Sequence, residues 1–176
     1  MTTPIIFLDF DGPLFSTRAM LFPENKLHAK MPEHLKDVLH PFISYWRMDP
    51  IAVTMLNQAI EITNAEVVIS STWRELHTKE EILALFGVNG LKVTLHDHWC
   101  TPRNIESGSH VTKYHPHRSR FEEIQDWLNE HPEIVKWVSI DDDTSIKQFP
   151  QKHRVLVDDN NGIMYNDYIR ILETLK

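Results

Sequence analysis

The sequence predicts an α/β fold, a Rossmann-like three-layer sandwich with a mostly parallel five-stranded sheet and a small cap insertion after the first strand. Three observations predict it. Five short apolar or β-branched runs punctuate the chain: PIIFLDF (4–10), EVVIS (66–70), LKVTLHD (91–97), EIVKWVSI (133–140) and HRVLVD (153–158). Helical patterns lie between most of them, an alternation that builds βαβ units around a sheet covered on both faces. Acids and hydroxyls gather where the runs end: Asp9 and Asp11 after the first, Ser70, Ser71 and Thr72 after the second, Asp141 to Asp143 after the fourth. Ligands of such sheets sit beyond the carboxyl ends of the strands.

Taken in order, the first run drives apolar residues straight into Asp9 and Asp11 and breaks at Gly12-Pro13. Burying an unpaired polar group costs about 2–7 kcal/mol and a charge more, so that strand end must hold something that compensates. Residues 13–48 resist regular assignment and read as a small cap or lid. In MDPIAVTMLNQAIEIT, Asp49 is an N-cap, Pro50 the first helical residue, and Ile51, Met55, Leu56, Ala59 and Ile60 share one face. TKEEILALFG pairs Thr78 with Glu81 at capping-box spacing and stops at Gly87. A second irregular stretch, 98–118, precedes SRFEEIQDWLNEHP, whose Phe121, Ile124, Trp127 and Leu128 recur at helical intervals before His131-Pro132 ends the pattern. Asp143 caps the next turn, Asp158 to Gly162 form a turn after the fifth strand, and YNDYIRILETLK closes the chain as a helix.

With 176 residues the chain is expected to be a single domain, 1–176. Hydrophobic residues make up 41% and charged residues 24%, and five tryptophans argue against disorder. Lys plus Arg number 18 against 25 Asp plus Glu, a balance of −7 that supplies no overall basic field for nucleic acid while leaving room for a local basic groove. No membrane span or signal peptide fits, because the first apolar run is cut short by Asp9 and lacks a basic flank. A single cysteine, Cys100, permits no disulfide within the chain, so the expected location is cytoplasmic.

Five glycines form neither a GxGxxG fingerprint nor a P-loop, and no HExxH or GxSxG occurs. Acid, hydroxyl and base remain. Asp9 and Asp11 leave an extended chain on the same side before Gly12 turns it. Asp141 and Asp142 arrive from another strand end, and so many converging carboxylates call for a hard cation such as Mg²⁺. A carboxylate beside a bound phosphate can attack phosphorus while a neighbouring acid protonates the leaving oxygen and later activates water.

The segments IIFLDFDGPLF, VVISSTWR, RFEEI and WVSIDDD, in that order, resemble motifs one to four of the haloacid dehalogenase-like (HAD) superfamily. More narrowly, SSTWR, the TP at 101–102, RFEEIQDWLNEHPE, WVSIDDD and VLVDDNNGIM are similar to the HAD domain family of Swiss-army-knife RNA repair proteins. The resemblance implies Asp9 as nucleophile and Asp11 as general acid and base whose backbone carbonyl also reaches the metal. It implies Asp141 and Asp142 as Mg²⁺ ligands, Ser70 or Ser71 as the phosphate-binding hydroxyl, Arg120 or Arg118 as the motif-three cation, and Arg74 as a further grip on phosphate. Residue 13, usually Thr or Val in these proteins, is Pro and supports the turn. The implied reaction is Mg²⁺-dependent hydrolysis of a phosphomonoester, on a nucleotide, a nucleic-acid end or another phosphorylated substrate. An idle phosphate- or partner-binding module, a phosphoprotein phosphatase and a metal-dependent nuclease are the alternatives.

Blander readings stand beside these. Asp9 and Asp11 could be a solvated strand end, Ser70 to Thr72 a cap, and Arg120 a helix-start partner of Glu122 or Glu123. HDHWC (96–100) sets His96 and His98 on one side of a strand near Cys100, where a Zn²⁺ or Cu²⁺ site with His115 or His117 could begin, and an ordinary loop is the preferred reading. FISYWRM (42–48) is either a base-stacking patch or a small apolar core under a lid.

Overall fold

The computed structural model describes residues 2–29, 46–102 and 118–176. Five strands, β1 (Ile5–Leu8), β2 (Glu66–Ile69), β3 (Leu95–Cys100), β4 (Trp137–Asp141) and β5 (Arg154–Leu156), form one sheet in the order β3-β2-β1-β4-β5. Every neighbouring pair is parallel, with Phe7 of β1 lying between Val68 and Ser139. Helices α1 (Pro23–Ala29), α2 (Pro50–Thr63), α3 (Trp73–Leu76), α4 (Lys79–Val88), α5 (Arg120–Glu130) and α6 (Tyr165–Leu175) complete the layers. Among the described residues no helix is long and apolar enough to cross a membrane.

Strand alternation divides the core. Ile6 and Leu8 point to one face, where Ala52, Leu56 and Ala59 of α2, Ile82 and Phe86 of α4 and Ile171 of α6 cover them. Ile5 and Phe7 point to the other, against Ile124 and Trp127 of α5. Phe7 meets Trp127 and Trp137 edge-on at 5.2 and 5.8 Å. Ring geometry of this kind adds about 0.5–1.5 kcal/mol beyond area burial.

Local signals account for the starts of α2, α4 and α5. The Asp49 carboxylate accepts from Ile51 N–H ahead of Pro50, and Thr78 and Glu81 exchange both capping-box bonds. Ser119 and Glu122 do the same for α5, and Asp143 accepts from Ser145 N–H. The buried face of α2 differs from the expected one: Ala52, Val53, Leu56, Ala59 and Thr63 are buried, Met55 and Ile60 flank them, and Ile51 is 42% exposed. Small residues at 52 and 59 pack the helix closely on the sheet, and Thr63 hides its hydroxyl on the Ala59 carbonyl at 2.7 Å.

The third strand lies further along the chain than the apolar run 91–97 suggests. Leu91 N–H bonds to Phe86 O, closing α4, and the Asn57 side chain of α2 binds both Gly90 O and Lys92 N–H. Residues 90–92 are thereby tied to helices, and pairing with β2 begins only where Val67 N–H reaches Thr94 O. Strand four likewise starts later than expected, at Trp137, because Ile134 N–H turns back to His131 O.

The proposed cap at 13–48 falls partly outside the described residues, as do His115, His117 and residues 42–45 of the aromatic run. What is visible after β1 is a tight turn, with Phe10 O accepting from Leu14 N–H (2.9 Å) and Phe15 N–H (2.8 Å). It docks on the 158–162 turn through Thr17 N–H to Asp159 O and Ile163 N–H to Pro13 O. That second turn is therefore a buttress for the first, a role beyond the plain turn its sequence suggests. Gly162 is required there, since a Cβ would stand 2.7 Å from Pro13 O.

Candidate active site

Three strand ends converge. Asp9 follows β1, its N–H bonded to Ile140 O of β4, and Ser70 follows β2, its N–H bonded to Leu8 O. Asp141 closes β4 and is fully buried, and Asp142 follows it into partial exposure. One carboxylate oxygen each from Asp9, Asp141 and Asp142 lie within 4.8 Å of one another, the one such group of metal-competent side chains among the described residues. Gly12, at φ +82°, lets the turn after β1 pass over Asp142: a Cβ at residue 12 would stand 2.6 Å from Asp142 Cγ.

Asp11 belongs to the site without joining that triad. Its Oδ2 accepts from the indole N–H of Trp73 at 3.0 Å. Arg120 supplies positive charge, its Nε 2.9 Å from Asp141 Oδ2, one terminal nitrogen 3.5 Å from Asp9 Oδ1 and the other 2.5 Å from Glu123 Oε2. The ordinary helix-start pairing with Glu123 thus exists, and the same guanidinium also reaches the strand-end acids. Arg118 instead pairs with Asp126 and is 48% exposed.

Arg74 is placed differently from a phosphate grip. It is fully buried, donating to the carbonyls of Ser71 (2.6 Å), Ser70 (3.3 Å), Thr101 (3.2 Å) and Pro102 (3.2 Å) and pairing with Glu123 Oε1 at 2.7 Å. Its donors are committed to holding the turn that carries the hydroxyls. The Ser71 hydroxyl interacts with Asp9. Ser70 Oγ is buried with no hydrogen-bond partner among the described residues, the state expected of a donor kept for a ligand.

Electrostatics mark the cluster as short of cations. Burial raises the Asp9 carboxyl well above its ordinary range, and Asp141 raises it further against the opposing pull of Arg120 and the Ser71 hydroxyl. Burial lifts Asp141 to about 6, with Arg120 and the Asp143 N–H, 2.8 Å away, working the other way. Asp11 is raised by burial and partly restrained by the Trp73 N–H, and Asp142 is raised by burial and by Asp159 and Asp11. Burial disfavours charge on Arg120, yet Asp9, Asp141 and Glu123 outweigh it and hold the guanidinium protonated. Asp9, Asp11, Asp141 and Asp142 therefore face one guanidinium, that of Arg120, which also pairs with Glu123. An all-oxygen, over-negative donor set of this kind suits a hard divalent cation.

The histidines form something else. His96 Nδ1 accepts from His98 N–H, His98 Nδ1 meets His131 Nε2, and His131 Nδ1 meets Trp127 O at 2.7 Å. The rings are spent on binding β3 to α5, with His131 stacked on Trp127 at 3.8 Å. Sequence reasoning missed two residues of the site, Glu123 and Trp73. Glu123 was visible as a partner for Arg120, whereas nothing in the run SSTWR marks Trp73 as a donor to an acid 62 positions earlier.

A five-stranded parallel sheet with an aspartate pair just after its central first strand, a hydroxyl after the second and an acid pair at the end of the fourth defines a haloacid dehalogenase-like α/β domain. The family described as "HAD domain in Swiss Army Knife RNA repair proteins" matches residues 5–167, and the chain belongs to that family. Comparison with curated proteins and with solved structures gave no match. Membership supports a phosphatase-like function of the HAD type.

Proposed function

We propose that the chain is a Mg²⁺-dependent phosphatase that hydrolyses a phosphomonoester through an aspartyl-phosphate on Asp9. The observation that carries this reading is the meeting of Asp9, Asp141 and Asp142 within 4.8 Å, beside Arg120 and an unpartnered Ser70 hydroxyl. Asp9, Asp141, Asp142 and the Asp11 carbonyl would hold Mg²⁺, which relieves carboxylate repulsion and polarises the phosphoryl oxygens.

An Asp9 oxygen attacks phosphorus, and the bond from phosphorus to the leaving oxygen breaks while Asp11 delivers its proton to that oxygen. Asp11, now a carboxylate, takes a proton from water. The hydroxide so generated attacks phosphorus, the bond to Asp9 breaks, and inorganic phosphate departs. Ser70 donates to a phosphoryl oxygen, the Ser71 hydroxyl and Arg120 favour the ionised form of Asp9, and Arg120 aligns it. Losing one such preorganised donor typically costs about 2.7–4 kcal/mol of transition-state stabilisation. Arg74 acts by fixing the Ser70-Ser71 turn.

The family's association with RNA repair favours a nucleic-acid end or a nucleotide as substrate. The overall charge of −7 is also unevenly spread. Lys136, Lys152, Arg154 and Arg170 line one cavity of about 580 Å³ whose single acidic residue is Glu173. It lies where β4 and β5 begin, opposite the carboxylates, and offers a nucleic-acid strand a phosphate contact away from the chemistry. With one cysteine in the chain, a reducing cytosol is the compartment we assign.

Hydrolysis of 4-nitrophenyl phosphate with and without Mg²⁺ tests the reading. Wild type should turn over only with the metal, and Asp9→Asn should not turn over at all. A binding module would show no hydrolysis in any condition. A nuclease would cut a circular single strand, which a phosphatase leaves intact.

A further inference from the structure

Asp11 needs more than proximity to serve the leaving oxygen. A carboxylate turns about its side-chain bonds, and a proton on the wrong oxygen is of no use to the substrate. The indole nitrogen of Trp73 can only donate, and it donates to Asp11 Oδ2 at 3.0 Å. That oxygen is thereby kept as an acceptor, and any proton Asp11 carries must sit on Oδ1.

The indole is itself held on several sides. It stacks on Phe15 at 5.1 Å with planes 8° apart, and Phe10 and Trp46 meet it edge-on at 5.6 and 6.4 Å. The main-chain N–H of Trp73 reaches Ser71 Oγ at 3.4 Å. Phe15 in turn closes the turn that Asp11 opens, through Gly12 N–H to Phe15 O and a backbone bridge between residues 11 and 15. The ring that fixes the carboxylate is thus stacked on the residue that fixes the same carboxylate's backbone. Neither the turn after β1 nor the short helix α3 would orient Asp11 alone.

We propose that Trp73 is a positioning residue, holding Asp11 with Oδ1 toward the leaving oxygen, and that the substrates so served are phosphate esters of ordinary alcohols. The inference rests on Asp11 acting as the proton donor described above. An alkoxide leaves only if a proton reaches its oxygen as the bond to phosphorus breaks, the bonding pair remaining on that oxygen. Nitrophenolate and the leaving groups of phosphoanhydrides depart without that help. A rigidly held acid therefore matters for sugar or glycerol hydroxyls and adds little for activated esters.

Trp73→Phe keeps an aromatic ring for the stack on Phe15 and removes the N–H. kcat/KM of the Mg²⁺-loaded protein would be measured on 4-nitrophenyl phosphate, phenyl phosphate and glycerol 2-phosphate, with folding checked by circular dichroism. General acid catalysis is worth about 10²–10⁴-fold, so loss of its alignment should lower the alkyl ester roughly 10- to 100-fold and the nitrophenyl ester less than about threefold. An equal loss on all three esters, or no loss, overturns the proposal. Asp11→Asn separates the two layers of the argument: if it too spares the alkyl ester, the role given to Asp11 is wrong. If Asp11→Asn shows the selective loss and Trp73→Phe does not, only the role of Trp73 falls. Should Trp73→Phe fail to fold, Phe15→Leu keeps the N–H and removes its stacking partner. The same leaving-group-dependent loss, smaller in size, is then expected, and a uniform loss refutes the proposal.

Discussion

Without bound metal, the protein should lose stability as pH rises through the acid range, the reverse of the usual behaviour of carboxylates. The perturbation is a change from pH 5 to pH 7.5 in the presence of a chelator. Asp141 titrates at about 6 in the folded chain against an ordinary value of 3.8. Between those values the folded state binds more protons than the unfolded one, so stability present below pH 4 is lost progressively up to about pH 6. The difference of 2.2 units corresponds to roughly 3 kcal/mol from this group. Asp9, Asp11 and Asp142, all raised by burial, act with the same sign. Glu122 and Asp158 are exposed and held low by hydrogen bonds, so their contribution has the opposite sign and is lost only as the solution becomes strongly acid. About half of the Asp141 contribution, on the order of 1–2 kcal/mol, is lost between pH 5 and 7.5, which for a domain of this size corresponds to about 3–6 °C in Tm. Thermal unfolding followed by circular dichroism should therefore show a falling Tm from pH 5 to 7.5 with chelator. Millimolar Mg²⁺ should restore much of the loss at pH 7.5 and little at pH 5, because its ligands must be ionised. A metal-free Tm that is flat or rises over this interval would refute the electrostatic account of the cluster, as would an equal Mg²⁺ effect at both pH values.

Other consequences are as concrete. Gly12→Ala should cost about 1–3 kcal/mol of stability from the left-handed backbone alone, and, by displacing Asp142, should weaken the Mg²⁺-induced shift in Tm; unchanged values of both would contradict the packing at 2.6 Å. Arg120→Met leaves Asp9, Asp141 and Glu123 without their shared guanidinium, and urea unfolding at pH 7.5 should show a deficit of about 3–5 kcal/mol that shrinks toward pH 5. Reversing charge in the distal cavity with Lys152→Glu and Arg170→Glu together should reduce the salt dependence of binding to a single-stranded RNA oligomer by roughly 1.4 in logarithmic slope, while 4-nitrophenyl phosphate hydrolysis stays the same. An unaltered slope would show that the cavity does not contact the strand.

How much was legible depended on whether a residue's role is local. Asp49, Thr78 with Glu81, and Asp143 cap elements next to them, and their signals are complete within four residues. The carboxylates after β1 and β4 were legible for a related reason: an apolar strand running into acids has an electrostatic problem visible without coordinates. The bounds of the third strand were not legible, because it is an edge strand with its middle residues exposed, so LHDHWC carries no apolar run while the neighbouring LKV does. The phase of α2 was missed because alanines, which permit close approach to the sheet, weigh little in a count of apolar side chains.

Arginine roles were the hardest to read, and the reason is physical. Three arginines near the motifs compete for one description, a cation that grips phosphate, but a guanidinium is assigned by the acceptors around it. Glu123 decides the matter. Its Oε1 takes Arg74 and its Oε2 takes Arg120, so one carboxylate joins the turn bearing Ser70 and Ser71 to the aspartates of β1 and β4. Arg74 finds its remaining acceptors in four backbone carbonyls and Glu75, and only Arg120 is left with the site's aspartates as partners. Breaking the node at Glu123 would strand two buried guanidiniums at once, releasing Arg74 from the hydroxyl turn and Arg120 from its fixed approach to Asp9. The hydroxyls and carboxylates that the proposed chemistry needs are therefore held in register by a buried ion network as well as by the sheet. No local pattern in the sequence could have displayed it, since its members come from positions 74, 120, 123 and 141.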